Sequence, residues 1–174
     1  MGNRVPQIYW DSNVFLSYVN GVPDRLPDID ALFLEAEKDT IELLTSALTI
    51  VEVAFGQAER DQRALDPAIE EKIDKLWLPS SGVKLVEFHR LIAQDARSFM
   101  RKALLNGWNL KPYDAVHLST AKRIGADEFH TYDEKLDKYE PHVGCKVRRP
   151  LPPQTSLFPP DVGSGTATEQ LTLG

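Results

Sequence analysis

Four acidic residues, Asp11, Glu52, Asp114 and Asp133, are the side chains in this 174-residue sequence best placed to do chemistry together. Asp11 follows a strand-like stretch at 5–10, Asp114 falls in the first turns of a helix opened by Pro112, and Asp133 follows a strand-like stretch at 128–132. In open α/β sheets the carboxyl ends of the strands are where ligands bind. Each aspartate also has a plain structural use at a helix start. Glu52 reads differently. It lies in Leu48-Thr49-Ile50-Val51-Glu52-Val53-Ala54-Phe55, a helical pattern that is apolar nearly all round and is therefore expected to be buried on most sides. A desolvated carboxylate is costly unless it is paired, hydrogen-bonded or bound to a metal. No basic residue stands within one helical turn of it, so a partner must come from elsewhere in the fold. Carboxylates gathered at one site repel each other unless a cation neutralises them. Oxygen-only donors favour hard divalent ions, above all Mg2+ or Mn2+. Such ions suit phosphodiester hydrolysis. The expectation is phosphoryl chemistry, with the nucleic acid not yet chosen.

Strand-like and helix-like segments alternate along the chain, and the alternation is what would bring these acids together. Strands are expected at 5–10, 41–46, 83–88 and 128–132, with a last edge strand at 145–148. Helices are expected at 14–20, 30–38, 48–60, 66–77, 89–106 and 112–124, with a brief one capped by Asp133. Asp66-Pro67 reads as a cap followed by proline in the first turn, and Gly107 and Gly125 as helix stops. This order implies an α/β fold, a mostly parallel central sheet covered by helices on both faces. One domain is expected over 1–149. From 150 the character changes: 150–174 holds five prolines, three glycines and two charged residues, and reads as a disordered tail in which Leu157-Phe158-Pro159-Pro160 has the look of a docking segment.

Composition bounds the function classes. The single cysteine, Cys145, excludes an internal disulfide and a cysteine-based zinc cluster, and points to a reducing, cytoplasmic compartment. No signal peptide is readable, and the longest strongly apolar run, 43–51, is far short of the roughly 20 residues a membrane helix needs. The net charge of −6 is unhelpful for nucleic-acid binding, but it is unevenly spread. Residues 24–75 hold 14 acidic and 6 basic side chains, whereas 84–123 hold 8 basic and 3 acidic ones. Within the basic half, Arg101, Lys102, Lys111, Lys122 and Arg123 are candidate phosphate contacts. Trp10 and Trp77 suit a core, while Trp108, between Gly107 and Asn109, has the setting of an exposed base contact. His89, His117, His130 and His142 form no His-x-x-x-His pair and read as ordinary histidines. His117 is the exception, three residues beyond Asp114 on the same helix face, where it would border a metal site.

Four short motifs in order carry a family resemblance. Tyr-Trp-Asp-Ser-Asn-Val-Phe-Leu (9–16) resembles the opening strand and first acid of PIN domains. Thr-Ser-Ala-Leu-Thr-Ile-Val-Glu-Val-Ala-Phe-Gly (45–56) is similar to the second motif, Pro-Tyr-Asp-Ala-Val-His-Leu-Ser-Thr-Ala (112–121) to the third, and His-Thr-Tyr-Asp-Glu-Lys-Leu (130–136) to the fourth. The match covers about 5–148, with the acids 41, 62 and 19 residues apart. The resemblance implies a three-layer α/β/α PIN-like domain and Mg2+- or Mn2+-dependent endonuclease action, usually on RNA. Asp11 and Asp114 would be principal ligands, Glu52 a ligand or water-orienting group, and Asp133 the ligand of a second or weaker metal. Ser12, Asn13 and Thr131 would hold those carboxylates by hydrogen bonds. The short format is similar to VapC-like toxins, which implies a homodimer inhibited by a cognate antitoxin protein. Two other readings stand beside it. One is a catalytically silent PIN fold that only binds. The other is a phosphatase with Asp11 as nucleophile, although the second aspartate that such enzymes need two positions on is Asn13 here.

Overall fold

A computed structural model describes residues 4–153. The expected tail falls almost wholly at 154–174, outside the described residues. Five strands, β1 (Gln7–Trp10), β2 (Glu42–Ser46), β3 (Val83–Val86), β4 (Glu128–His130) and β5 (Lys146–Arg148), form one sheet in the order β3-β2-β1-β4-β5. Every neighbouring pair is parallel. The fold is the expected α/β/α sandwich, with a sheet that is parallel throughout rather than mostly so.

Strand periodicity explains the two cores. Side chains alternate faces along a strand, so Ile8 and Trp10 of β1 enter one apolar cluster and Tyr9 enters the other. The first cluster, with Leu43 of β2, is closed by α1 (Ser12–Val19), α2 (Leu26–Glu37) and α5 (Pro67–Leu76). The second, with Leu44 and Phe129, is closed by α6 (Arg90–Leu105), α7 (Pro112–Ile124) and α8 (Glu140–Val143). Trp10 is fully buried, as its apolar neighbours predicted; Trp77 and Trp108 pack only partly buried against the two clusters. Pro112 begins α7, and Gly125, at φ 66°, ends it in the left-handed region where an L side chain is strained.

One expected helix is two. Residues 48–60 split into α3 (Thr49–Glu52) and α4 (Gln57–Gln62). The break is held by a buried acid with no counterpart in the apolar pattern. Glu59 accepts the Gly56 N–H at 2.9 Å and the Asp66 N–H at 2.7 Å, folding the chain back toward α5. Gly56 is also tight, since a Cβ there would lie 3.1 Å from Ile69 Cγ2. The expected burial on most sides also fails: Val51 is 69% exposed, and Ile50 and Phe55 are exposed with it. Glu52 therefore sits at the rim of an open apolar face, not inside a core helix.

Candidate metal centre

Parallel register puts the carboxyl ends of β1, β2 and β4 side by side; Asp11, Glu52 and Asp133 follow those ends, while Asp114 arrives on α7. Asp11 leaves β1 and caps α1, its Oδ1 accepting the Asn13 N–H at 3.1 Å. Its Oδ2 accepts from Thr131 Oγ1 at 2.5 Å and from Asn13 Nδ2 at 3.3 Å. Thr131 follows β4, and its oxygen accepts the Asp133 N–H at 2.9 Å. One hydroxyl thus ties the first acid to the loop carrying the last. Asp133 in turn caps the 3-10 turn Glu134–Tyr139, accepting the Lys135 N–H at 3.0 Å.

Glu52 finds its partner on α7. Its Oε2 lies 2.6 Å from His117 Nε2, and its Oε1 accepts from Ser12 Oγ at 3.2 Å. His117 is 1% exposed, and its Nδ1 lies 2.8 Å from the Tyr9 hydroxyl. That hydroxyl already accepts the Ser46 N–H at 3.1 Å. Tyr9 then has its own proton to give to Nδ1, which assigns the ring proton to Nε2, facing the Glu52 carboxylate. The chain Ser46–Tyr9–His117–Glu52 runs from the sheet to the site through a fully buried interior.

Asp114 is the third residue of α7 and half-buried. Burial first, and then the Asp133 carboxylate, raise its pKa; Glu52 adds to this, while His117 and Lys111 oppose it. Asp11 is 2% exposed, and burial pushes its carboxyl up to about 6 against the opposing effects of His117, Thr131 and Asn13. Among the described residues no lysine or arginine forms an ion pair with any of the four acids. An arginine-matched Glu52, the arrangement that would have removed the case for a metal, is not what the fold contains.

A family model of the PIN domain matches residues 8–140, a span that includes all four acids. This chain belongs to the PIN-domain family. The fold is shared with several solved structures. VapBC2 from Rickettsia felis bound to a promoter DNA fragment superposes with a TM-score of 0.58 at 14% identity, over 82% of this chain and 98% of that one. FitAcB from Neisseria gonorrhoeae gives 0.58 at 19%, over 82% and 97%. The sarcin-ricin loop cleaving toxin VapC20 of Mycobacterium tuberculosis gives 0.55 at 12%, over 73% and 90%. At such identities the likeness is one of fold. No curated protein matches the chain.

In this PIN domain the acids are neighbours in electrostatic reach, yet each is turned to a protein partner or to solvent. Among the described residues no three His, Cys, Asp or Glu side chains converge tightly enough to hold one ion as they stand. The donor set still fits a hard divalent cation: all-oxygen, ion-paired to no lysine or arginine among the described residues, with the Asp114 pKa raised by burial first and then by Asp133 and Glu52. Of the candidate phosphate contacts, Lys102, Lys111 and Lys122 are exposed, whereas Arg123 is committed to Asp95 through Nε at 2.8 Å. Tyr9 and Ser46 carry no signal of this role in the sequence. Tyr9 stands in an alternating strand where an aromatic looks like core filling, and only its hydroxyl's two contacts reveal more.

The burial of Asp11 has a measurable sign. Its folded pKa of about 6 lies above the ordinary value near 3.9, so the folded state holds the proton more tightly. The charged form is destabilising above pH 6, and the cost fades as pH falls through 6 and is gone below about 4. Two units correspond to about 3 kcal/mol at most. Metal-free protein is expected to lose about half of this penalty on acidification from pH 7.5 to 5, and Asp11→Asn to remove that component from the melting profile. Superimposable wild-type and Asp11→Asn profiles would refute it.

Proposed function

We propose that the protein is a Mg2+- or Mn2+-dependent endoribonuclease, the toxin of a toxin–antitoxin pair. The observation that carries this is the cluster itself. Four acids from four successive strand-to-strand connections stand in electrostatic reach with no lysine or arginine ion-paired to them, and burial first, then Asp133 and Glu52, push the Asp114 pKa up. A bound divalent ion would supply activation of a water and stabilisation of charge on the phosphodiester and its leaving oxygen. Asp11 and Asp114 would be its principal ligands, and Asp133 would serve a second or weaker position. Glu52 would ligate or orient the attacking water, held by Ser12 and His117. Thr131 and Asn13 would fix the Asp11 carboxylate, leaving it fewer orientations to lose on binding.

RNA is the favoured substrate because the basic half of the chain, 84–123, includes the helix that carries Asp114. The apolar rim at Ile50, Val51 and Phe55, next to Glu52, supports a protein partner there, a second copy of the chain or an antitoxin segment reaching the acids. The phosphatase reading loses ground, since Asn13 spends its amide on Asp11 rather than serving as an acid. The deciding experiment incubates purified protein with total RNA in Mg2+, Mn2+ or EDTA and maps fragment ends, with light scattering on the same sample for the mass. Cleavage that needs the metal and internal fragment ends are expected. Intact RNA under all three conditions would leave only a binding module.

A further inference from the structure

The surroundings of Trp108 take no part in the candidate metal centre. Trp108 stands in the loop between α6 and α7, its backbone N–H bonded to the Ala103 carbonyl at 2.8 Å, which fixes the backbone that carries the ring. The indole is partly buried and borders two clefts. One, of about 150 Å3, is lined by Lys102, Asn106, Lys122, Tyr139 and His142. The other, of about 380 Å3, is lined by Arg97, Arg101, Leu104 and Asn109. A cavity of the smaller size holds one aromatic ring. Tyr139 and His142 meet the indole edge-on, with centroids at 5.2 Å and 5.5 Å, and Lys138 Nζ stands 5.5 Å from its centroid.

Two further observations point to a ligand. Arg97, Arg101, Lys102, Lys122 and Lys138 surround this one indole, and none of the five has a carboxylate partner among the described residues. In a chain of net charge −6 such a gathering is not the average surface. The Tyr139 hydroxyl, on a residue 2% exposed, is buried and makes no hydrogen bond. A buried hydroxyl left so is unfavourable, and a ligand's polar edge would satisfy it.

We propose that Trp108 is a stacking platform for one unpaired base of a single-stranded RNA, with the flanking cations on its backbone phosphates. An aromatic face between cationic walls is the general device for holding single strands. The placement suits the acids. Trp108 and Asp114 are six positions apart, at most about 22 Å of chain. Tyr139 joins the two, touching the Trp108 ring while the Asp114 carboxylate adds to the effect of burial on its phenol. The platform rests on the RNA reading of the function but not on the metal.

The test is therefore run in EDTA. Fluorescence anisotropy of a labelled mixed-sequence RNA decamer is measured on full-length protein, with the same sequence as a duplex alongside. Stacking is worth about 1–3 kcal/mol per base, or about 5- to 150-fold in affinity. Trp108→Leu is expected to weaken single-strand binding at least fivefold, Trp108→Phe to restore most of it, and duplex binding to change little. Arg101→Ala is expected to reduce the slope of log affinity against log salt by about one. Lys75→Ala, on the acidic half, serves as control. Melting curves separate lost folding from lost binding. Single-strand affinity within twofold of wild type in folded Trp108→Leu overturns the platform, as does an equal loss for single strand and duplex, or no RNA binding by wild type. Trp108-dependent binding without cleavage when Mg2+ is restored would keep the platform and reject the nuclease. Cleavage with Trp108-independent binding would do the reverse.

Discussion

Replacing Asp114 by asparagine is expected to end metal-dependent RNA cleavage while making the metal-free protein more stable. The two effects have one cause. A metal-bound phosphodiester gains several kcal/mol of charge stabilisation, and a factor of ten in rate is about 1.4 kcal/mol. Loss of a principal ligand therefore predicts a fall of about a thousandfold or more. Without the ion, the same carboxylate is a liability. Burial, then Asp133, and to a lesser extent Glu52, all disfavour its charge. Its place in the first turn of α7 gives back about 0.3–1 kcal/mol through the helix dipole, but the net direction of its pKa is upward, so repulsion and desolvation win. The amide of the Asp114→Asn variant keeps the shape and drops the charge. The melting temperature should rise by a few degrees in EDTA, and added Mg2+ should stabilise wild type far more than the variant. Unimpaired cleavage would remove Asp114 from the site; a lower melting temperature in EDTA would mean that its charge is satisfied by the protein.

The second large effect is expected at His117. Leucine there would strand the Tyr9 hydroxyl and one Glu52 oxygen at once, each with about 1–3 kcal/mol of unmet hydrogen bonding. We expect a loss of about 2–5 kcal/mol in stability and a weakening of Mn2+ binding by about 10- to 100-fold, the usual consequence of removing a group that orients a metal's ligands. Glutamine can place an amide donor where Nε2 stands, so His117→Gln should recover much of the Mn2+ affinity while leaving Tyr9 poorly served and the fold partly weakened. Mn2+ titration followed by electron paramagnetic resonance, beside denaturant melts, separates the two contributions. If His117→Leu binds Mn2+ as wild type does and loses less than about 1 kcal/mol, the buried chain from Ser46 to Glu52 has no bearing on the site.

Much of this architecture is legible in the residues. Alternating strand and helix patterns imply the parallel sandwich, because element boundaries are marked by a change of period or by a capping residue such as Asp11, Asp66 or Asp133. The helix expected at 48–60 fails for a physical reason. Its apolar period runs unbroken through 53–56, while the feature that bends the chain, Glu59 bound to two backbone N–H groups, is a lone acid with nothing in its neighbours to signal it. Periodicity likewise reports that a face is apolar and not what covers it, so Val51 has the pattern of a buried residue and is exposed. Glu52 and His117 lie 65 residues apart, and Trp108 meets His142 and Tyr139 across more than 30. Contacts of that range belong to the fold and leave no local trace. The nearness of His117 to Asp114 is visible only because both share a helix.

The centre of the sheet is its earliest strand. β1 lies between β2 and β4, and Trp10 pairs with His130 across 120 residues. During synthesis, therefore, Asp11 emerges long before the Thr131 hydroxyl that will seat it, and β4 gains its outer neighbour only once Arg148 has been added. A ribosome-bound chain therefore cannot assemble the candidate metal centre until nearly all of the domain has left the exit tunnel.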